Sequence, residues 1–110
     1  MDASESPVRV VFITVPDPDT GARLARTLVE ERLAACVNLV PGVRSFYRWE
    51  GAVQEDDEVM LVVKTRAERC DALALRVRDL HPYDLPEVLE LPAVGGSAAY
   101  LEWVRTESTG

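Results

Sequence analysis

The nitrogen and sulfur ligands of transition metals and redox chemistry are scarce in this 110-residue chain, which has two cysteines, Cys36 and Cys70, and one histidine, His81. The cysteines form no CxxC or CxxH pattern, so neither a disulfide framework nor a structural zinc site is indicated. Buried free thiols are the simpler reading, and they fit a reducing compartment. Basic residues are also short: 12 Lys and Arg stand against 19 Asp and Glu, for a formal charge of -7. Nucleic acid and anionic membranes both call for a basic face, so neither is an expected partner. No apolar run approaches the ~18 residues of a membrane span. Met1 to Pro7 lacks the basic and apolar regions of a secretory signal. A soluble, cytoplasmic protein is expected. Catalytic patterns are missing too. Ser45 and Ser97 lie in no GxSxG elbow, and Gly95-Gly96 is no phosphate loop. Glu87 and Glu90, three apart on a strand, face opposite sides. No enzyme activity is expected, and no cofactor is indicated.

What remains is an ordinary globular composition, 47% hydrophobic and 28% charged, long enough for one domain with its own core. Val8 to Val15 is nearly continuous in apolar residues and reads as a central strand. Asp17 as N-cap and Pro18 at the first helical position start a helix expected to run to about Leu33. Leu24, Leu28 and Leu33 lie on its apolar stripe. Ala35 to Val40 is a second strand, Pro41-Gly42 a bulge or kink, and Val43 to Trp49 its continuation. Glu50-Gly51 turns the chain, and Val53 to Lys64 returns. Thr65-Arg66-Ala67-Glu68 reads as a capping box opening a second helix, which His81-Pro82 stops. Val88 to Leu91 is a fourth strand, and Ser97 caps a short last helix. The order βαββαβ plus a terminal helix predicts an α+β, ferredoxin-like sandwich with a long bent β2–β3 hairpin. Residues 8–105 form the domain, Met1 to Pro7 a disordered tail, and Thr106 to Gly110 a frayed end.

The hairpin tip stands out. Phe46, Tyr47 and Trp49 are three of the chain's seven aromatic residues, and they crowd Ser45-Phe46-Tyr47-Arg48-Trp49-Glu50-Gly51. Rings and arginine at an exposed tip are the side chains that anchor contact surfaces, so self-association is expected. Phe46, Arg48 and Glu50 are the candidate interface residues. The other arm carries Glu55-Asp56-Asp57-Glu58. Alternation turns Glu55 and Asp57 one way and Asp56 and Glu58 the other, and Glu58 is placed to pair with Arg48. Lys64 either snorkels from its strand or holds an anion beside the helix start.

Ala34-Ala35-Cys36-Val37-Asn38, Pro41-Gly42-Val43, Tyr47-Arg48-Trp49-Glu50-Gly51, Lys64-Thr65, His81-Pro82-Tyr83, Pro86-Glu87 and Tyr100-Leu101-Glu102-Trp103 occur in that order. In these blocks the chain resembles the CutA family of divalent-cation tolerance proteins from about Val8 to Val104. The resemblance implies a homotrimer of ferredoxin-like protomers whose hairpins reach into neighbouring subunits. It also implies a link to copper and other divalent metal ions, with no molecular activity defined; a non-catalytic part in metal tolerance is expected. His81 and Glu87 match metal positions of some family members, but the third position, a cysteine, is Ile13 here. Tyr47, Trp49, Lys64 and Tyr83 are implied linings of clefts between subunits, for metal ions or a small ligand. A PII-like trimeric sensor of small molecules is the alternative, and an enzyme of unknown type at the same clefts a second one.

Overall fold

The computed structural model describes residues 6–110. Four strands form one antiparallel sheet in the order β2-β3-β1-β4: β1 is Val8–Val15, β2 Cys36–Trp49, β3 Ala52–Arg66 and β4 Leu89–Pro92. Helices α1 (Pro18–Glu30) and α2 (Cys70–Leu80) cover one face, and α3 (Ala98–Glu107) follows β4. The ferredoxin-like α+β expectation holds. Its driving force is legible in the register. Val11, Ile13 and Val15 sit opposite Val63, Leu61 and Val59, all facing the helices and all nearly fully buried. Leu24 and Leu28 of α1 and Leu73 and Val77 of α2 complete that core. Gly21 lets α1 come down onto the sheet, since a Cβ there would lie 3.0 Å from Val15 Cγ2 and 3.2 Å from Leu39 Cδ1. Helix α3 packs separately: Val104 and Leu101 meet Val8, Ala35 and Ala93, and alternation places Val8 on the sheet face opposite Val11.

Helix ends depart from expectation in two places. Asp17 does cap α1, its carboxylate accepting from the Thr20 N–H at 2.8 Å. The helix nevertheless stops at Glu30 rather than Leu33. Arg32 takes a left-handed φ of 59°, the Leu33 N–H donates to Leu28 O at 2.9 Å, and the Arg32 N–H donates to Val29 O at 3.1 Å. This is a Schellman closure with arginine where glycine is usual, and it drops Leu33 into the core from beyond the turn. The Thr65 capping box does not form. Strand β3 continues through Arg66, and a 3₁₀ turn, Ala67–Arg69, precedes α2. The Thr65 hydroxyl, fully buried, donates instead to Leu33 O at 2.7 Å, and Glu68 binds the Arg66 guanidinium.

Described residues near both ends of the domain bond to the fold. Of the expected tail, residues 1–5 lie outside the described residues. Ser6 is buried and donates to Ala93 O at 2.6 Å, and Pro7 O accepts from the Ala67 N–H. At the other end Ser108 is fully buried, its hydroxyl on Val104 O. Arg32 donates to Thr109 O at 2.7 Å and Thr106 O at 2.8 Å. Guanidinium groups on the last carbonyls complement the negative end of α3.

The hairpin is long because β3 outruns its inner neighbour. Within β3, strand β1 pairs only with Val59–Arg66, whereas β2 pairs with β3 all the way to Ala52. The register shifts between Val40 and Val43, at the expected Pro41-Gly42 bulge, where Gly42 has φ 80°. At the tip Glu50 and Gly51 have φ 51° and 82°, the signs of a two-residue I′ turn. Acidic alternation holds along this arm: Arg44 pairs with Glu55 at 2.5 Å and Asp57 at 3.7 Å, while Asp56 and Glu58 serve the other side. The Arg48–Glu58 pair does not form, because the register sets Arg48 against Val53.

Candidate functional site

A cleft of about 730 Å³ opens between the protruding hairpin and the connector that joins α2 to β4. Residues 45–49 form one wall, residues 82–87 the other, and Thr14 and Glu58 lie at the base. Tyr47, Trp49, Tyr83 and Glu87 meet here, with Phe46 and Arg48 at the same wall. Lys64 is not among them. It lies opposite Cys36 in the register, and its ammonium is bonded to the Asn38 side-chain oxygen. Glu50 remains at the turn, outside the lining, and makes no ion pair among the described residues.

His81 holds the connector down. Its N–H closes the last turn of α2 on Val77 O. Its ring, 7% exposed, sets Nε2 2.7 Å from Thr14 O. Nδ1 accepts the Tyr83 N–H at 3.1 Å, which assigns the remaining ring proton to Nε2, donating to Thr14. Both nitrogens are therefore committed to the backbone. Tyr83 packs its ring 4.6 Å from the imidazole and donates its hydroxyl to Glu58 Oε2 at 2.9 Å. Glu58 is itself 7% exposed. Burial, then the hydrogen bond to Glu58 and its charge, pushes the Tyr83 hydroxyl well above the ordinary tyrosine range. Burial, then the charge of Glu58, raises the Glu87 carboxyl. Tyr47 is raised mainly by its hydrogen bond to Asp56, reinforced by burial. The base of the cleft is thus an acidic, partly dehydrated end, and its outer walls are aromatic.

These residues fit a copper centre poorly. Ile13 occupies the position of the family's cysteine and is wholly buried among the core side chains. His81 has no free lone pair while Tyr83 and Thr14 hold it. Among the described residues no group of three His, Cys, Asp or Glu side chains could hold a metal ion. Cys70 is no help: burial first, with Glu90 beside it, pushes its thiol up to about 12. Cys36 lies across the strand from Lys64, remote from the cleft lining.

Sequence reasoning missed Glu58 as the partner of Tyr83 and Thr14 O as the partner of His81. Strand alternation did separate Asp56 and Glu58 from Glu55 and Asp57, and the register puts them on the side of Tyr47. The bond to Tyr83 needed the path of the connector, which no local pattern specifies. A second groove, lined by Arg32, Arg66 and Arg105 with Thr106 and Thr109, also escaped notice. Its guanidinium groups are occupied by the last turn of α3 and by Glu68, Glu102 and Glu107.

The CutA1 divalent ion tolerance protein family model matches residues 9–107. A divalent-cation tolerance protein CutA from Thermus thermophilus is 52% identical over 101 residues, covering 92% of this chain and 97% of that protein. The chloroplastic CutA 1 of Oryza sativa is 50% identical over 102 residues, which are 93% of this chain but 58% of that protein. The chain thus spans little more than half the length of the plant relatives it matches. Among solved structures, CutA1 from Oryza sativa superposes with a TM-score of 0.90 at 50% identity, covering 96% of this chain and 95% of that one. CutA from Xylella fastidiosa gives 0.91 at 41% identity, covering 94% and 100%. The blocks around Trp49 and His81 and the register of the long hairpin therefore lead to one assignment: this chain belongs to the CutA1 family of divalent ion tolerance proteins.

Proposed function

We propose that this chain acts as a homotrimeric, non-catalytic binding protein of the cytoplasm. In this reading a divalent metal ion or a small ligand is taken at the cleft beside the hairpin, where a sister subunit completes the walls. The observation that carries the reading is the apolar surface left uncovered. Phe46 is 65% exposed and Val53 67%, on a ribbon that extends past β1. Val40, Leu89 and Leu91 are also exposed, and the register sets them on the sheet face turned away from α1 and α2, beside Phe12, Met60 and Val62. The register puts Phe46 and Val53 on the opposite side of the ribbon from that face; exposed apolar surface of this kind marks an interface, and the outer edge of β2 invites further pairing. Two free thiols suit a reducing compartment.

Copper binding in this reading needs ligands from a neighbouring subunit or the release of His81, because one chain supplies too few. Calorimetric titration of copper(II), zinc(II), magnesium and a nucleotide panel tests the ligand half of the proposal. Stoichiometric binding of a divalent ion, weakened in Glu87→Gln, supports it. A response to nucleotides alone would favour the sensor alternative, and turnover of any ligand would overturn the non-catalytic reading.

A further inference from the structure

We propose that the cleft is built for an organic ammonium ion, with its charged nitrogen against the rings of Tyr47, Trp49 and Tyr83 and facing the carboxylates of Glu58 and Glu87. This rests on the reading of the cleft as the ligand site, and names the class of ligand. Size is the first argument. A cavity of about 730 Å³ exceeds what a bare metal ion fills and suits a small organic molecule, for which pockets of roughly 300–1,000 Å³ are usual. The lining is the second. Aromatic faces attract weakly hydrated cations, whereas hard divalent ions ask for several converging oxygens, and no such group of three exists among the described residues.

Charge is the third argument. Among the described residues Glu58, Asp84 and Glu87 line the cleft against one cation, Arg48. Along β2, Ser45, Tyr47 and Trp49 alternate with Phe46 and Arg48. Arg48 lines the same wall, so the acidic groups outnumber it three to one. Glu58 uses one oxygen on the Tyr83 hydroxyl, and a carboxylate accepts at up to about four lone-pair positions. An ammonium group or its methyl shell can use that remaining capacity. Tyr83 serves twice, presenting a ring face and, through its hydroxyl, fixing the carboxylate behind it.

The test is calorimetry of the full chain with choline and with 3,3-dimethylbutan-1-ol, the neutral isostere in which carbon replaces the charged nitrogen. Choline should bind saturably, and the isostere about tenfold or more weakly. Tyr47→Leu and Glu87→Gln should each weaken choline by roughly three- to thirtyfold without changing the mass of the particle. Equal binding of both compounds, a flat choline titration, or affinity untouched by both substitutions would overturn the inference. Magnesium, zinc and copper titrations run beside it separate the two claims. Metal binding with a flat choline trace sinks the ammonium site and leaves the tolerance reading standing. Choline binding to a monomeric particle supports the ammonium site and removes the trimer.

Discussion

Replacing Arg32 separates a strained backbone from the bonds its side chain makes. The residue holds φ 59° at the end of α1, a region that costs an L-residue about 1–2 kcal/mol. Its half-exposed guanidinium donates to Thr109 O at 2.7 Å and Thr106 O at 2.8 Å. Two such bonds contribute about 0.5–1.5 kcal/mol each, and the 3.6 Å pair with Glu107 adds little at an exposed site. Arg32→Ala keeps the strain and loses the bonds, so it should destabilise by about 2 kcal/mol. Arg32→Gly loses the same bonds but relieves the strain. After roughly 0.4–1 kcal/mol of extra unfolded-chain entropy, about 1 kcal/mol returns. Guanidinium unfolding at one fixed protomer concentration should rank the parent above the glycine variant and that above the alanine variant. If alanine equals or exceeds glycine, α1 does not close through a left-handed Arg32, and the account of how Leu33 reaches the core fails.

Thr65→Val removes a fully buried donor from Leu33 O and should lower stability by about 1–2 kcal/mol in the same assay. Tyr83→Phe leaves the buried Glu58 carboxylate without its hydroxyl donor, costing about 1–3 kcal/mol at neutral pH; an unchanged melting curve would show that the bond is not made. Glu87 has its folded pKa raised above the ordinary 4.5 by burial and then by Glu58. The stability tied to its protonated form is full below 4.5 and is lost as pH rises through the raised value. Glu87→Gln should therefore melt higher than the parent at pH ~7, with the advantage fading towards pH ~4. A constant difference across that range would contradict the assignment. In the proposed trimer a neighbour covers Trp49, which is exposed in the single chain, so Trp49→Asp should loosen self-association by setting an unpaired charge there.

Most of the architecture was legible because it rests on period. Val8 to Val15 and Val59 to Val63 declare a covered sheet, and Pro41-Gly42 declares its bulge. The misreadings share one cause, competition from tertiary contacts. Thr65 carries a capping signature, yet a carbonyl from the end of α1 takes its hydroxyl and β3 runs on past it. The C-terminal residues look polar and loose, but Arg32, 74 and 77 positions away from its acceptors, fastens them. The site was legible as a set of residue types, not as a set of bonds. Tyr47, Trp49, Tyr83 and Glu87 do gather in one cleft. His81, the residue most suggestive of metal, spends both nitrogens on the backbone, because the Pro-rich connector has few other ways to be held.

The central claim is that the exposed ribbon and open sheet face are covered by two further copies of this chain. Sedimentation equilibrium or light scattering at micromolar concentration measures this directly. The account predicts a particle of three times the 12.2 kDa chain mass, shifted towards the monomer in Trp49→Asp. A 12.2 kDa particle under those conditions, with Phe46, Trp49 and Val53 left in water, would contradict it.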